Sequence, residues 1–203
     1  MRNINPIHKY LLFVLVFHSA ILSAQSDNYQ ESLRKYQEQY VKNNGVVKEK
    51  DKNSIHFFPV NETYRVLAKF ERMHETSWFK METSGKEKKT YRIYGILHFS
   101  LYDTTFKLYV YQSQQLMSTE KYADHLFIPF TDSTSGEESY ENGRYIDLSI
   151  ADIENGQFMI DFNKAYNPYC AYISDVYNCP VPPKENNLPV KIKAGEMKYG
   201  KIH

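Results

Sequence analysis

The sequence predicts a mainly β domain: a small barrel or strongly curved antiparallel sheet, with one N-terminal helix and a long ordered proline-rich loop. Three observations carry this. Tyr64–Phe70, Thr90–Leu101 and Phe106–Val110 alternate in apolar character with the two-residue period of a strand buried on one face. Aromatic residues make up 15% of the chain, 18 of them tyrosine, a composition that suits pleated surfaces. The stretch Asp161–Val190 holds both cysteines and five of the eight prolines, so regular structure must give way there to loop. A chain of 203 residues is one domain in size and long enough to bury a core.

Taken in order, the chain opens with a secretory signal pattern over residues 1–24. Arg2 and Lys9 supply positive charge, Tyr10–Leu22 is the apolar run, and Leu22-Ser23-Ala24 offers a cleavage site before Gln25. The run falls short of the ~20 apolar residues that cross a bilayer, so no membrane span is expected in the mature chain. Export, periplasmic or secreted, follows as an expectation. Residues 25–53 read as a helix and a charged linker: Tyr29, Leu33, Tyr36 and Tyr40 form one stripe, Asn28 and Glu31 a capping pair, and Asn43-Asn44-Gly45 the stop.

Residues 54–203 read as a single β domain. In Thr90–Leu101, the side chains of Tyr91, Ile93, Leu97, Phe99 and Leu101 are expected on one face, with Gly95 marking a bulge or a close backbone approach. Residues 102–105 turn this strand into the next, making a hairpin. His125–Phe130 is a short strand, and Pro129 places it at an edge or a strand end. Asp132–Gly136 and Glu141-Asn142-Gly143 are turns. Strands at 144–150 and 157–163 are expected to pair through the loop 151–156, setting Arg144 opposite Asn163 and diagonal to Asp161. Pro189–Ala194 is the expected last strand.

Several of these stretches together resemble a bacterial family named "domain of unknown function 1684". They are Thr134-Ser135-Gly136, NGRYIDL at 142–148, DFNKAYNPYCAY at 161–172 and CPVPPKENNLPVKIKAGE at 179–196, with FFPVNETYRVLAKF and TYRIYGILHFSLYD upstream. The resemblance covers about Ser54 to Glu196. Members commonly carry a Gly-Gly-Gly-Arg-like turn before the arginine, where this chain has Glu141-Asn142-Gly143. The resemblance implies one mostly β domain with a polar region from Asp132 to Asn186, and no established activity.

Composition narrows function further. Lys plus Arg number 25 against 24 Asp plus Glu, which offers no electrostatic basis for nucleic acid or anionic lipid. In an exported chain, two cysteines default to one disulfide, Cys170–Cys179. The spacing is not that of a zinc site, no cofactor motif is present, and no metal is expected. A binding module for a small ligand or envelope component is the leading reading. Tyr140, Tyr145, Tyr166 and Tyr172 would wall its site, with Asp132, Ser135, Arg144, Asp147, Asp161, Asn163, Asn167 and Asn186 as polar contacts. A hydrolase drawing a carboxylate pair from Asp132, Asp147, Asp161 and Glu185 is the first alternative. The second is a structural or interaction protein that presents Asp161–Val190 to a partner.

Overall fold

The alternation seen in the sequence folds, in this computed structural model, into β1 (Arg65–Arg72), β2 (Phe79–Met81), β3 (Lys89–Leu101), β4 (Thr104–Ser113), β5 (His125–Asp132), β6 (Arg144–Ser149), β7 (Gln157–Asp161) and β8 (Asn187–Leu188). The structure describes residues 28–200, so the signal pattern at 1–24 lies outside the described residues. Two units divide the chain, residues 1–40 and 41–203. Helix α1 spans residues 28–43. Asn28 is already inside it, and Glu31 turns to Arg34 and Lys35 rather than forming the expected cap. The helix stops where Asn44 Oδ1 accepts the backbone N–H groups of Val46 and Val47.

The strands form one curled, almost wholly antiparallel sheet in the order β6-β5-β4-β3-β1-β7, with β2 added beside β3 and β8 running parallel to β5. Alternate residues fill the concave side. Ala68, Leu97, Phe99, Leu108, Val110, Leu126, Ile128, Phe130, Ile146, Leu148, Ile160 and Phe162 belong to one buried cluster. Fully burying an aliphatic or Phe side chain of this kind contributes roughly 1.5–3 kcal/mol, which is why the period of two dictates the fold.

The hairpin of β3 and β4 forms as expected, but β3 does not keep one face throughout. A bulge shifts the register between Ile93 and Gly95. One extra residue reverses the parity of the pleat. Leu97, Phe99 and Leu101 therefore enter the core, while Tyr91 and Ile93 join a second apolar layer on the opposite side. Gly95 sits at the switch because a Cβ there would lie 2.3 Å from the Phe70 ring and 2.7 Å from the Glu71 carbonyl oxygen.

Two further expectations change. Strand β6 pairs with β5, and β7 pairs with β1 with Arg65 opposite Asp161, so β6 and β7 are not a hairpin. They stand at opposite ends of the sheet because a 3-10 turn, Ile150–Asp152, capped by Ser149 and Asp152, sends the chain across rather than back. After β7, Tyr166 exchanges two backbone hydrogen bonds with Tyr145 and lies against the free edge of β6. Residues 189–194 also form no ladder strand. They run alongside β5 and β6, and their carbonyls are taken by a side chain described below.

Pro129 lies inside the sheet, contrary to its expected edge position. The β4–β5 ladder holds only at Tyr111–Phe127, and the strands part beside the proline, which has no N–H to offer. The Asn186 side chain fills the gap. Its Oδ1 accepts the Tyr109 N–H at 2.8 Å, and its Nδ2 donates to the carbonyls of Tyr109 and Pro129 at 2.9 and 2.7 Å. A side-chain amide thus stands in for a missing strand peptide.

Candidate functional site

Arg144 is the centre of the polar region, and it is fully buried. The chain can place it there because Gly143 has φ +82 and a Cβ at that position would meet the Phe130 carbonyl oxygen at 2.3 Å. Neither Glu141 nor Asn142 adopts positive φ, so the turn needs one glycine rather than a run of them. The guanidinium donates to Asp132 Oδ2 at 2.7 Å and to the Ile192 carbonyl at 2.9 Å through one nitrogen. Through the other it donates to the carbonyls of Ala194 and, at 3.2 Å, Glu196. Extended backbone aims every second carbonyl to one side, which brings those of residues 192 and 194 to the fork, and the turn at Gly195, with φ +76, brings in that of Glu196. The rings of Phe58 and Phe130 flank it, with centroids 5.7 and 5.4 Å away. Burial pulls the guanidinium below its ordinary pKa, and Asp132 pulls it back.

Asp132 also accepts the backbone N–H groups of Thr134 and Ile192, at 2.7 and 3.2 Å. Ser135 Oγ accepts the Asp132 N–H, the ordinary work of a turn serine. Asp161 is buried and caps its own turn, accepting the Asn163 N–H at 3.1 Å. Asn163 Oδ1 accepts the Asn61 N–H and its Nδ2 donates to the Asn61 carbonyl, tying the end of β7 to the entry of β1. The expected Arg144 partnership with Asp161 and Asn163 is replaced by Asp132 because β6 and β7 are not neighbours. Asn167 donates from its backbone to Glu196 Oε2 at 2.9 Å and from Nδ2 to the Met197 carbonyl at 2.8 Å. Tyr172 donates its hydroxyl to the same Glu196 carboxylate. Tyr140 is buried, its hydroxyl accepting from Asn142 Nδ2. Most candidate contacts thus hold the loops to the sheet. Glu196 escaped the sequence reading because a lone acid near a lysine-rich tail gives no sign of burial.

Cys170 and Cys179 are joined, with Cα atoms 6.3 Å apart. Ser84 secures the joined loop: its Oγ accepts the Cys179 N–H, and its own N–H donates to the Cys179 carbonyl. In the chain-entropy model, closing a ten-residue loop contributes roughly 2.5–3 kcal/mol. The Cys170→Ser, Cys179→Ser double variant is therefore expected to lose stability by up to about that amount in urea titration. A loss below about 0.5 kcal/mol would place the restraint in Ser84 and its neighbours instead.

The second apolar layer lies outside the sheet. Met81, Tyr91, Tyr111, Phe127 and Tyr145 are buried in it, with Ile93, Tyr109 and Tyr166 packed against them. Phe127 touches Tyr91 and Tyr145 with ring centroids 5.0 and 5.6 Å away, and Tyr145 meets Tyr166 edge-on at 5.8 Å. The proline segment covers part of the layer, its Pro180 carbonyl accepting the Tyr145 hydroxyl. At the margin stands Asp147, whose side chain is 48% exposed. Tyr166 donates its hydroxyl to Asp147 Oδ2 at 2.8 Å, and His125 Nε2 lies 3.3 Å from Oδ1. Among the sequence-derived candidates, Asp147 and Tyr166 are thus brought together with a histidine at a surface. Glu185 is also exposed, and its charge acts on the Tyr111 phenol.

Burial pushes the Tyr91 phenol up to about 12 and that of Tyr145 well above its ordinary value, with Asp147 adding to both. Folded pKa values above the unfolded one mean a contribution that is complete below about pH 10 and lost as pH climbs through the folded values. Stability is therefore expected to fall above about pH 10, these phenols ionising together with unfolding when absorbance is followed near 295 nm. Full ionisation with the fold intact near pH 11 would contradict the packing described here.

No helix among the described residues is long and apolar enough to cross a membrane, and none of their His, Cys, Asp and Glu groups is arranged to hold a metal ion. A curled antiparallel sheet, clamped from within by a buried arginine and layered outside with tyrosines, defines a mainly β module. The chain belongs to the family described as Protein of unknown function (DUF1684), whose sequence model matches residues 50–197. It is similar to an uncharacterized protein of Haloarcula marismortui solved by solution NMR, at 26% identity and a TM-score of 0.64 over 86% of this chain and 96% of that one. No curated protein matches the sequence.

Proposed function

We propose that this protein is an exported binding module that contacts a small ligand or envelope fragment through its outer aromatic face. The observation that supports it is the meeting of Asp147, Tyr166 and His125 at the exposed margin of that face. Aromatic surface beside a few oriented polar groups is the usual make-up of a small-molecule site. Of the other acids considered for catalysis, Asp132 is committed to Arg144 and Asp161 caps its own turn. Export is favoured by the signal pattern of residues 1–24 and suits the disulfide. On this reading residues 25–53 are a helix and linker ahead of a single β domain, 54–203.

A thermal-shift screen of sugars, peptides, amines and aromatic acids tests the reading on wild type, Tyr166→Ala and a remote surface control, Leu67→Ser. A true ligand raises the melting temperature of wild type and Leu67→Ser and leaves Tyr166→Ala unmoved. Equal responses in all three would move the site away from this face.

A further inference from the structure

We propose that the outer face takes a ligand bearing an ammonium group, seated against the Asp147 carboxylate and beside the partly exposed ring of Tyr166. This rests on the binding reading above and names the chemistry of its ligand. Asp147 is half exposed; the Tyr166 hydroxyl donates to its Oδ2, and His125 Nε2 lies 3.3 Å from its Oδ1. Among the described residues no lysine or arginine pairs with it, whereas Asp132 has Arg144, Glu138 has Lys193 and Glu82 has Lys88. A carboxylate offers about four acceptor positions, and one hydrogen bond, from Tyr166, is accepted here. The His125 ring supplies one contact through Nε2, and its Nδ1 is buried with no hydrogen-bond partner.

The surroundings have the same sign. Glu185 acts on Tyr111 as Asp147 acts on Tyr91 and Tyr145, so two acids frame the tyrosine layer. The cation in contact with this layer, Lys107, sits by Tyr109, its Nζ 3.3 Å from the hydroxyl. Tyrosine faces attract cations through the ring quadrupole, and the attraction strengthens where water is partly excluded. An anionic ligand would be repelled by the two acids, and a neutral one would gain nothing from them. An alkyl- or methylammonium group matches both the charge and the rings.

The experiment uses the mature chain labelled with nitrogen-15 and follows its amide spectrum during titration with tetramethylammonium, choline and n-butylammonium. The neutral control is 3,3-dimethylbutan-1-ol, which has choline's shape without its charge. The expected result is saturable shifts confined to residues near Tyr91, His125, Asp147 and Tyr166, with the neutral control at least about ten-fold weaker. Asp147→Asn keeps an acceptor for Tyr166 but removes the charge. It should bind choline about ten-fold more weakly while melting within a few degrees of wild type. Equal binding of choline and its neutral analogue would overturn the ammonium assignment and leave the binding reading standing. Absence of shifts at this face with every ammonium probe would also overturn it. If the thermal-shift screen likewise finds nothing that depends on Tyr166, both readings fall together.

Discussion

Arg144→Ala is expected to cost about 3–5 kcal/mol, the usual loss when one partner of a buried ion pair is removed. The variant would be largely unfolded at 37 °C if the parent lies near the low end of the ordinary 5–15 kcal/mol range. Truncation leaves the Asp132 carboxylate buried without its counter-ion and strips a donor from the Ile192, Ala194 and Glu196 carbonyls. Arg144→Lys restores the charge but not the planar fork, and one ammonium cannot reach all four acceptors, so it should recover only part of the loss. Urea titration of the three proteins measures this. A loss under 1 kcal/mol for Arg144→Ala would show that the C-terminal segment is held by its apolar contacts alone. The Arg144–Asp132 pair is not by this token a net source of stability, since a well-packed apolar pair of equal volume can do as well. What it fixes is the path of residues 192–196.

The second large effect is expected at Asn186. Asn186→Leu keeps the branched outline, though with bulkier methyl groups, and removes all three hydrogen bonds to Tyr109 and Pro129. Each buried backbone group left without a partner costs about 1–3 kcal/mol, and the three are coupled, so a total near 3 kcal/mol is expected. Hydrogen exchange gives the local signature. The Tyr109 amide, protected only by this side chain, should exchange far faster in the variant than the neighbouring amides that remain in the ladder. If Tyr109 stays as protected as before, β4 and β5 have closed on each other and the amide was dispensable.

Period and turn chemistry carried most of the fold. The residues of β1 and β4 alternate so regularly that their inward faces could be read directly, and two cysteines nine positions apart allow one bridge. Partnership between distant strands could not be read. Arg144 and Asp161 are both polar residues in strand-like surroundings, and the short loop between their strands favoured a hairpin that the turn at Ile150–Asp152 prevents. Pro129 misled for a related reason: the rule that sends proline to an edge assumes that no side chain will repair the gap, and Asn186 does. Among the candidate contacts, the tyrosines and asparagines stand out by their density in the sequence, but composition does not distinguish a residue that clamps a loop from one that meets a ligand. Asp147 differs from Asp132 only in the parity of its strand position, and parity depends on which strand pairs with which.

The irregularity at Ile93–Gly95 lets one ribbon serve two apolar layers. Were all thirteen residues of β3 evenly pleated, Tyr91 and Ile93 would project to the same side as Leu97, and the tyrosine layer would lose its floor. Taking out the extra residue, Tyr94, would instead leave Ile93 opposite Tyr111 and Tyr91 opposite Ser113, so the outward side of the ribbon would survive in a straighter strand. An offset of one residue, with no change in overall hydrophobicity, thus decides what the molecule shows to the outside.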